Sequence, residues 1–146
     1  MSMTARCLCG DVRIEITGKL GPLVYCHCSR CQKAQGTAFS ANTDVRRSHW
    51  RWVAGEALVR EYESSPGVFR AFCPRCGSPI YSRRPDAPDI LRLRLGLLDD
   101  DPERRSLAHF HVASKAPWHT ITDDLPQFAG GPADHAEEIA RLRAPR

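Results

Sequence analysis

The sequence predicts an all-β domain pinned by two metal sites, and three observations carry that expectation. Apolar residues recur at every second position in several stretches, with turn residues between them. All seven cysteines fall into three tight clusters. Only two segments carry a helical signature, one just after a cysteine cluster and one at the C-terminal end.

Taken in order, residues 10–18 alternate Val12, Ile14 and Ile16 with Arg13, Glu15 and Thr17, the pattern of a half-buried strand. Shorter β-rich stretches follow at residues 23–26, 38–42, 50–53, 58–62, 68–72 and 110–112, and Ser65-Pro66-Gly67 marks a turn. Leu91, Leu93, Leu95 and Leu97 alternate with Arg92, Arg94 and Gly96 as a further strand. A short helix is expected over residues 29–35, with Ser29 as N-cap and Gly36 closing it. A second is expected over 134–143, where Asp134 and Glu137 stand at capping-box spacing. Residues 83–89, 99–105 and 130–132 read as surface loops. At 146 residues and 42% hydrophobic content, the chain can bury one sizeable core. The division expected is a metal-binding domain over 1–130 and a helical tail over 131–146.

The clusters are Cys7-x-Cys9, Cys26-x-Cys28-x-x-Cys31 and Cys73-x-x-Cys76-Gly77. A closed structural zinc site takes four protein ligands, and a catalytic one takes three and keeps a position open. The seven cysteines divide in that way. Cys26, Cys28 and Cys31 are close enough in sequence to grip one ion. Cys7, Cys9, Cys73 and Cys76 would clip the N-terminal strand to the middle of the chain, and metal binding there couples to folding. Spacing alone also permits the opposite partition. Tetrahedral thiolate sites commonly select zinc, although a single iron on four cysteines has the same geometry.

Other uses of the cysteines fit less well. No N-terminal apolar region with a cleavage site is present, so the expected compartment is the reducing cytoplasm. An odd count leaves one thiol over in any full disulfide scheme. A redox Cys-x-x-Cys should open a helix, whereas Gly77, Ser78 and Pro79 follow Cys76 at once. No apolar run is long enough to cross a bilayer. The formal charge of +4 counts cysteine as neutral. Seven thiolates and two divalent ions bring it to about +1, which removes the general argument for a nucleic-acid partner.

If Cys26 and Cys28 share an extended segment, they point to one side and His27 to the other, so His27 is expected to hydrogen-bond or pack and not to ligate. Cys31 enters from the first helical turn, where N–H groups favour thiolate. Three thiolates quench much of an ion's charge, and such a soft site suits an incoming fourth thiolate. A metal there lowers a thiol's pKa and holds its sulfur as a nucleophile. The favoured chemistry is making or breaking a carbon–sulfur bond at a thiol adduct.

The cysteine pattern, with Cys26-His27-Cys28-Ser29-x-Cys31-x-Lys33-x-x-Gly36 and Phe72-Cys73-x-x-Cys76-Gly77-Ser78, resembles the glutathione-dependent formaldehyde-activating family. The stretches Gly96-Leu97-Leu98-Asp99, His109-x-His111-x-x-Ser114-Lys115-Ala116-x-Trp118 and Asp124-Leu125-Pro126-Gln127-Phe128 are similar to it as well. The resemblance spans roughly residues 4–128. It implies coiled antiparallel β-sheets, sandwich-like, carrying two zincs per chain, with Cys26, Cys28 and Cys31 on the catalytic ion and the other four cysteines on the structural one. It implies a carbon–sulfur lyase that joins glutathione and formaldehyde, with S-hydroxymethylglutathione as the adduct. The family as known also includes centromere protein V, which is associated with chromatin.

A site for glutathione, which carries two carboxylates, should offer cations, and Arg30, Lys33, Arg46, Arg47 and Lys115 are the candidates, each also readable as solvated surface. Tyr25, Phe39 and Trp118 could wall a pocket or pack the core. His109 and His111 are expected to alternate along a strand. The leading expectation is an enzyme acting on a small thiol. The alternative is a non-catalytic zinc scaffold for a macromolecular partner, which a fourth protein ligand such as His27 or His111 would favour. A thiol-based redox or metal-buffering role is a third.

Overall fold

The computed structural model describes residues 2–143. The last three residues of the tail expected over 131–146 lie outside the described residues. The chain forms two compact units: residues up to Pro22 together with Asn42–Arg104, and Leu23–Ala41 together with residues from Arg105 on.

The first unit holds two antiparallel sheets. In one, β1 (Ser2–Arg6) pairs β2 (Arg13–Thr17), which pairs β5 (Trp50–Ala54). The other runs in the order β4 (Ser40–Arg46, of which residues 42–46 belong here), β9 (Ile90–Arg94), β8 (Pro79–Arg83), β7 (Val68–Phe72) and β6 (Arg60–Ser65). Alternation does the work that the sequence assigns to it. Val12, Ile14 and Ile16 are buried, while Arg13 and Thr17 are exposed. They pack with Val45, Trp50, Ile80, Leu91 and Leu93 into one apolar core that also takes in Cys7 and Cys73.

In the second unit β3 (Leu23–Cys26) pairs β10 (His109–Phe110) in parallel, an exception to the antiparallel rule of this chain. A small core of Ala108, Phe110 and Phe128 lies here, with Phe110 and Phe128 stacked at 5.2 Å. The helix α1 (Ser29–Gln35) follows β3 after two residues, and α2 (Ala136–Arg143) closes the described chain behind a short 3-10 turn, Pro132–His135. Among the described residues no helix is long and apolar enough to cross a membrane.

Several local expectations need correction. The strand carrying Leu91 and Leu93 stops at Arg94, and Leu95–Leu97 turn into a 3-10 helix. Likewise β10 ends at Phe110, because His111 takes φ 57° and Val112–Ser114 form another 3-10 turn, so His109 and His111 do not alternate on one strand. The N-cap of α1 is Cys28, whose sulfur accepts from the Cys31 N–H, and not Ser29. Near α2 the carboxylate that reaches back is Asp134, bonded to the Gly131 N–H at 3.0 Å. Strands β1 and β8 lack a clear alternating signature, and the sequence marks the bounds of neither.

Candidate metal centres

Two matching turns build the first cysteine group. After β1, Gly10 takes φ 81°, a conformation open to glycine. Its N–H reaches the Cys7 carbonyl at 3.1 Å, and the Val12 N–H points at the Cys7 sulfur at 3.3 Å. Between β7 and β8, Gly77 at φ 79° returns its N–H to the Cys73 carbonyl at 2.7 Å. Ser78 joins the turns: its Oγ accepts from the Leu8 N–H at 2.9 Å and lies 3.3 Å from the Cys76 sulfur. Arg75 pairs with Asp11 across the same junction.

The sulfurs of Cys7, Cys9, Cys73 and Cys76 all lie within 4.8 Å of one another. Cys7 and Cys9 are 3.5 Å apart, and Cys9 and Cys73 3.8 Å. Four sulfurs at ~2.3 Å from a tetrahedral zinc would stand ~3.8 Å apart, so this donor set fits such an ion. The charges argue the same way. The Asp11 backbone N–H draws the Cys9 thiol down, but burial and the sulfurs of Cys7, Cys76 and Cys73 outweigh it and push Cys9 up to about 12. Ser78 holds Cys76 down to about 5. Crowded sulfurs resist becoming thiolates together unless a cation stands among them.

The second group belongs wholly to the other unit. Cys26 ends β3, Cys28 caps α1, and Cys31 lies buried in its first turn. Their sulfurs also fall within 4.8 Å of one another. The Cys28 sulfur accepts from the Cys31 N–H at 3.3 Å, which fixes its position at the start of α1. Cys26 is raised, first by its bond with Cys28, then by Cys31 and by burial. Among the described residues, no histidine or carboxylate joins either group, so this one offers three donors and the other four.

His27 is fully buried, with its ring on a separate network. Its Nε2 is 2.7 Å from His109 Nδ1, and His109 Nε2 is 3.0 Å from both Asp123 oxygens. Burial lowers His27 to about 4, and His109, His119 and Lys115 add to that. The ring of Phe39 stacks at a tilt against Tyr25 at 4.7 Å and His27 at 5.0 Å, so both aromatics pack. Trp118 is exposed. His111 donates its backbone N–H to the Gly130 carbonyl, and its ring is not in the three-cysteine group.

Of the candidate cations, Lys115 is held by the carbonyls of Ala116 and His119, and Arg47 Nε by that of Pro88. Arg30 and Lys33 are exposed on α1, and Arg46 is exposed on β4. Residues that sequence reasoning missed are Asp123, His119 and Gln32. The Gln32 side chain donates to the carbonyls of His27 at 2.7 Å and Ser114 at 2.8 Å. No local pattern marks Asp123, whose partner lies 14 residues away.

The fold is similar to that of a Rhodobacter sphaeroides protein of known crystal structure, with a TM-score of 0.57 and 24% identity over 68% of this chain and 90% of that one. A Halomonas elongata protein is 29% identical over 97% of both chains. A Colletotrichum graminicola protein is 29% identical over 55% of this chain and 43% of its own. Both bear the name "Putative glutathione-dependent formaldehyde-activating enzyme". The family model described as glutathione-dependent formaldehyde-activating enzyme matches residues 2–114, and the chain belongs to that family.

Proposed function

We propose that this protein is a zinc-dependent carbon–sulfur lyase, working in reverse as a thiol-adduct synthase, on a small-thiol adduct such as S-hydroxymethylglutathione. The observation that carries the reading is the donor count: three sulfurs within 4.8 Å, joined by no fourth protein ligand among the described residues. The family's description, glutathione-dependent formaldehyde-activating enzyme, supports glutathione as the thiol and formaldehyde as the electrophile. We place the protein in the cytoplasm, the reducing compartment in which cysteines stay available to hold metal.

Zinc at Cys26, Cys28 and Cys31 would supply Lewis acidity that keeps an incoming thiol ionised and its sulfur in place. The second zinc would be structural, on Cys7, Cys9, Cys73 and Cys76. In the synthetic direction the substrate sulfur forms a bond to the formaldehyde carbon, and the proton lost by the thiol ends on the oxygen. The protein's part is to hold three sulfurs in a fixed triangle. The Cys31 N–H holds the Cys28 sulfur in place, and Gln32 ties the His27 carbonyl to Ser114. Arg30 and Lys33, exposed on the helix that bears Cys31, are the cations best placed in the sequence to meet glutathione carboxylates.

The test follows exchange between formaldehyde, glutathione and the adduct by NMR. Formaldehyde adds to thiols unaided, so the wild-type rate is read against that background. The wild type should accelerate exchange and Cys28→Ser should not. If neither exceeds the uncatalysed rate across several thiols, the proposed activity falls and the zinc-scaffold reading moves ahead of it.

A further inference from the structure

His27 sits between two of the three clustered cysteines, and nearly every polar group it owns is tied to a different segment. Its N–H donates to the Phe110 carbonyl at 2.9 Å. Its carbonyl accepts from Gln32 on α1 at 2.7 Å. Its ring meets His109 at 2.7 Å. Asp123 anchors the far end of that chain, and the side chain of His109 is 2% exposed.

With His109 neutral, the protons along the chain can take one order only. A carboxylate only accepts, so His109 Nε2 must carry the hydrogen that goes to Asp123. A neutral His109 then has a bare Nδ1, which accepts from His27 Nε2–H. His27 Nδ1 is left bare, and that atom is buried with no hydrogen-bond partner. A buried acceptor left unmet costs stability, so its retention asks for a reason.

We propose that Asp123, His109 and His27 form a positioning relay: Asp123 sets the tautomer of both rings and thereby locks the backbone that carries Cys26 and Cys28. The relay acts through main-chain position and touches neither substrate nor metal. It rests on the reading that these cysteines hold a metal, and not on any activity. The side chain of Asp123 is 44% exposed, so it can be changed without opening the core.

Imidazole 15N NMR reads the tautomers directly, in protein with and without metal. Both His27 and His109 should carry their hydrogen on Nε2. Competition between the protein and a chelator for Co2+, followed in the sulfur-to-cobalt absorption bands, reads the grip of each cysteine group. Asp123→Ala should mix the tautomers and weaken cobalt binding at the three-cysteine group on the order of tenfold, with the four-cysteine group unchanged. Asp123→Asn keeps the accepting oxygen and should restore both within about twofold. Hydrogen on Nδ1 of His109 in the wild type would overturn the relay. So would unchanged cobalt affinity in Asp123→Ala, or an Asp123→Asn variant as weak as Asp123→Ala. A protein that passes these tests but does not accelerate thiol–formaldehyde exchange would overturn the proposed activity and leave the relay standing.

Discussion

The two cysteine groups should contribute unequally to folding, and chain topology sets the difference. A metal stabilises the fold only as far as it binds the folded chain better than the unfolded one. Cys26, Cys28 and Cys31 lie within six residues, so an unfolded chain can still gather them. Cys9 and Cys73 are 64 residues apart, and an unfolded chain must close that loop to bring them together. The closure cost grows as (3/2)RT ln n, so a loop of 64 against one of five differs by about 2 kcal/mol. Cys73 and Cys7 also belong to the main core, where a serine hydroxyl would add about 1 kcal/mol or more of desolvation. In zinc-loaded protein, the pair Cys73→Ser with Cys76→Ser should therefore melt about 6–12 °C below the pair Cys26→Ser with Cys28→Ser. Thermal unfolding by circular dichroism, with metal content per chain measured in parallel, reads the gap. Chelator-stripped samples should show only the smaller core difference. A Cys26/Cys28 pair that melts as low as the Cys73/Cys76 pair would refute the topological reasoning.

Two further results are expected. Gly55 holds φ 83°, and a Cβ there would collide with the Asp11 carbonyl and stand 2.9 Å from Val12 Cα, so Gly55→Ala should cost about 3 kcal/mol or more. Urea unfolding should show a lower midpoint at unchanged slope, and a loss under about 1 kcal/mol would mean the backbone yields at that turn. Glu61 is held below the usual glutamate range, first by its bonds from Arg83 at 2.7 and 2.8 Å and then, against burial, by the Tyr81 hydroxyl at 2.8 Å. A lowered pKa contributes stability above the unfolded value of about 4.3, and that contribution is lost as pH falls through the folded value. The stability gap between wild type and Glu61→Gln should thus be full at pH 6 and close as pH drops below about 4; a gap independent of pH would remove the ionised carboxylate from the account.

Much of the fold was legible because its signals are local. Val12, Ile14 and Ile16 alternate within a single strand, so the strand and its buried face need no knowledge of partners. Gly10, Gly36 and Gly77 stand where short turns require φ above zero, and each turn is complete within a few residues. The cysteines were legible for the same reason: Cys7-x-Cys9, Cys26-x-Cys28-x-x-Cys31 and Cys73-x-x-Cys76 carry their donor spacing in the chain itself. Strand ends were not. The Leu91–Leu97 alternation continues past Arg94, where the backbone turns into a 3-10 helix, and His111 leaves the strand at φ 57°.

What the sequence alone determined is the β-rich class and the three places where thiols concentrate, since periodicity and spacing act over a few residues. Only the tertiary structure decided which thiols meet, because joining Cys9 to Cys73 depends on how β1, β7 and β8 pack and not on either motif. It alone brought Asp123 to His109 and His109 to His27, three residues with no common pattern in the chain. A hydrogen bond between side chains 82 residues apart leaves no mark on either neighbourhood. Its existence is a consequence of the parallel pairing of β10 with β3, and that pairing is a property of the folded chain as a whole.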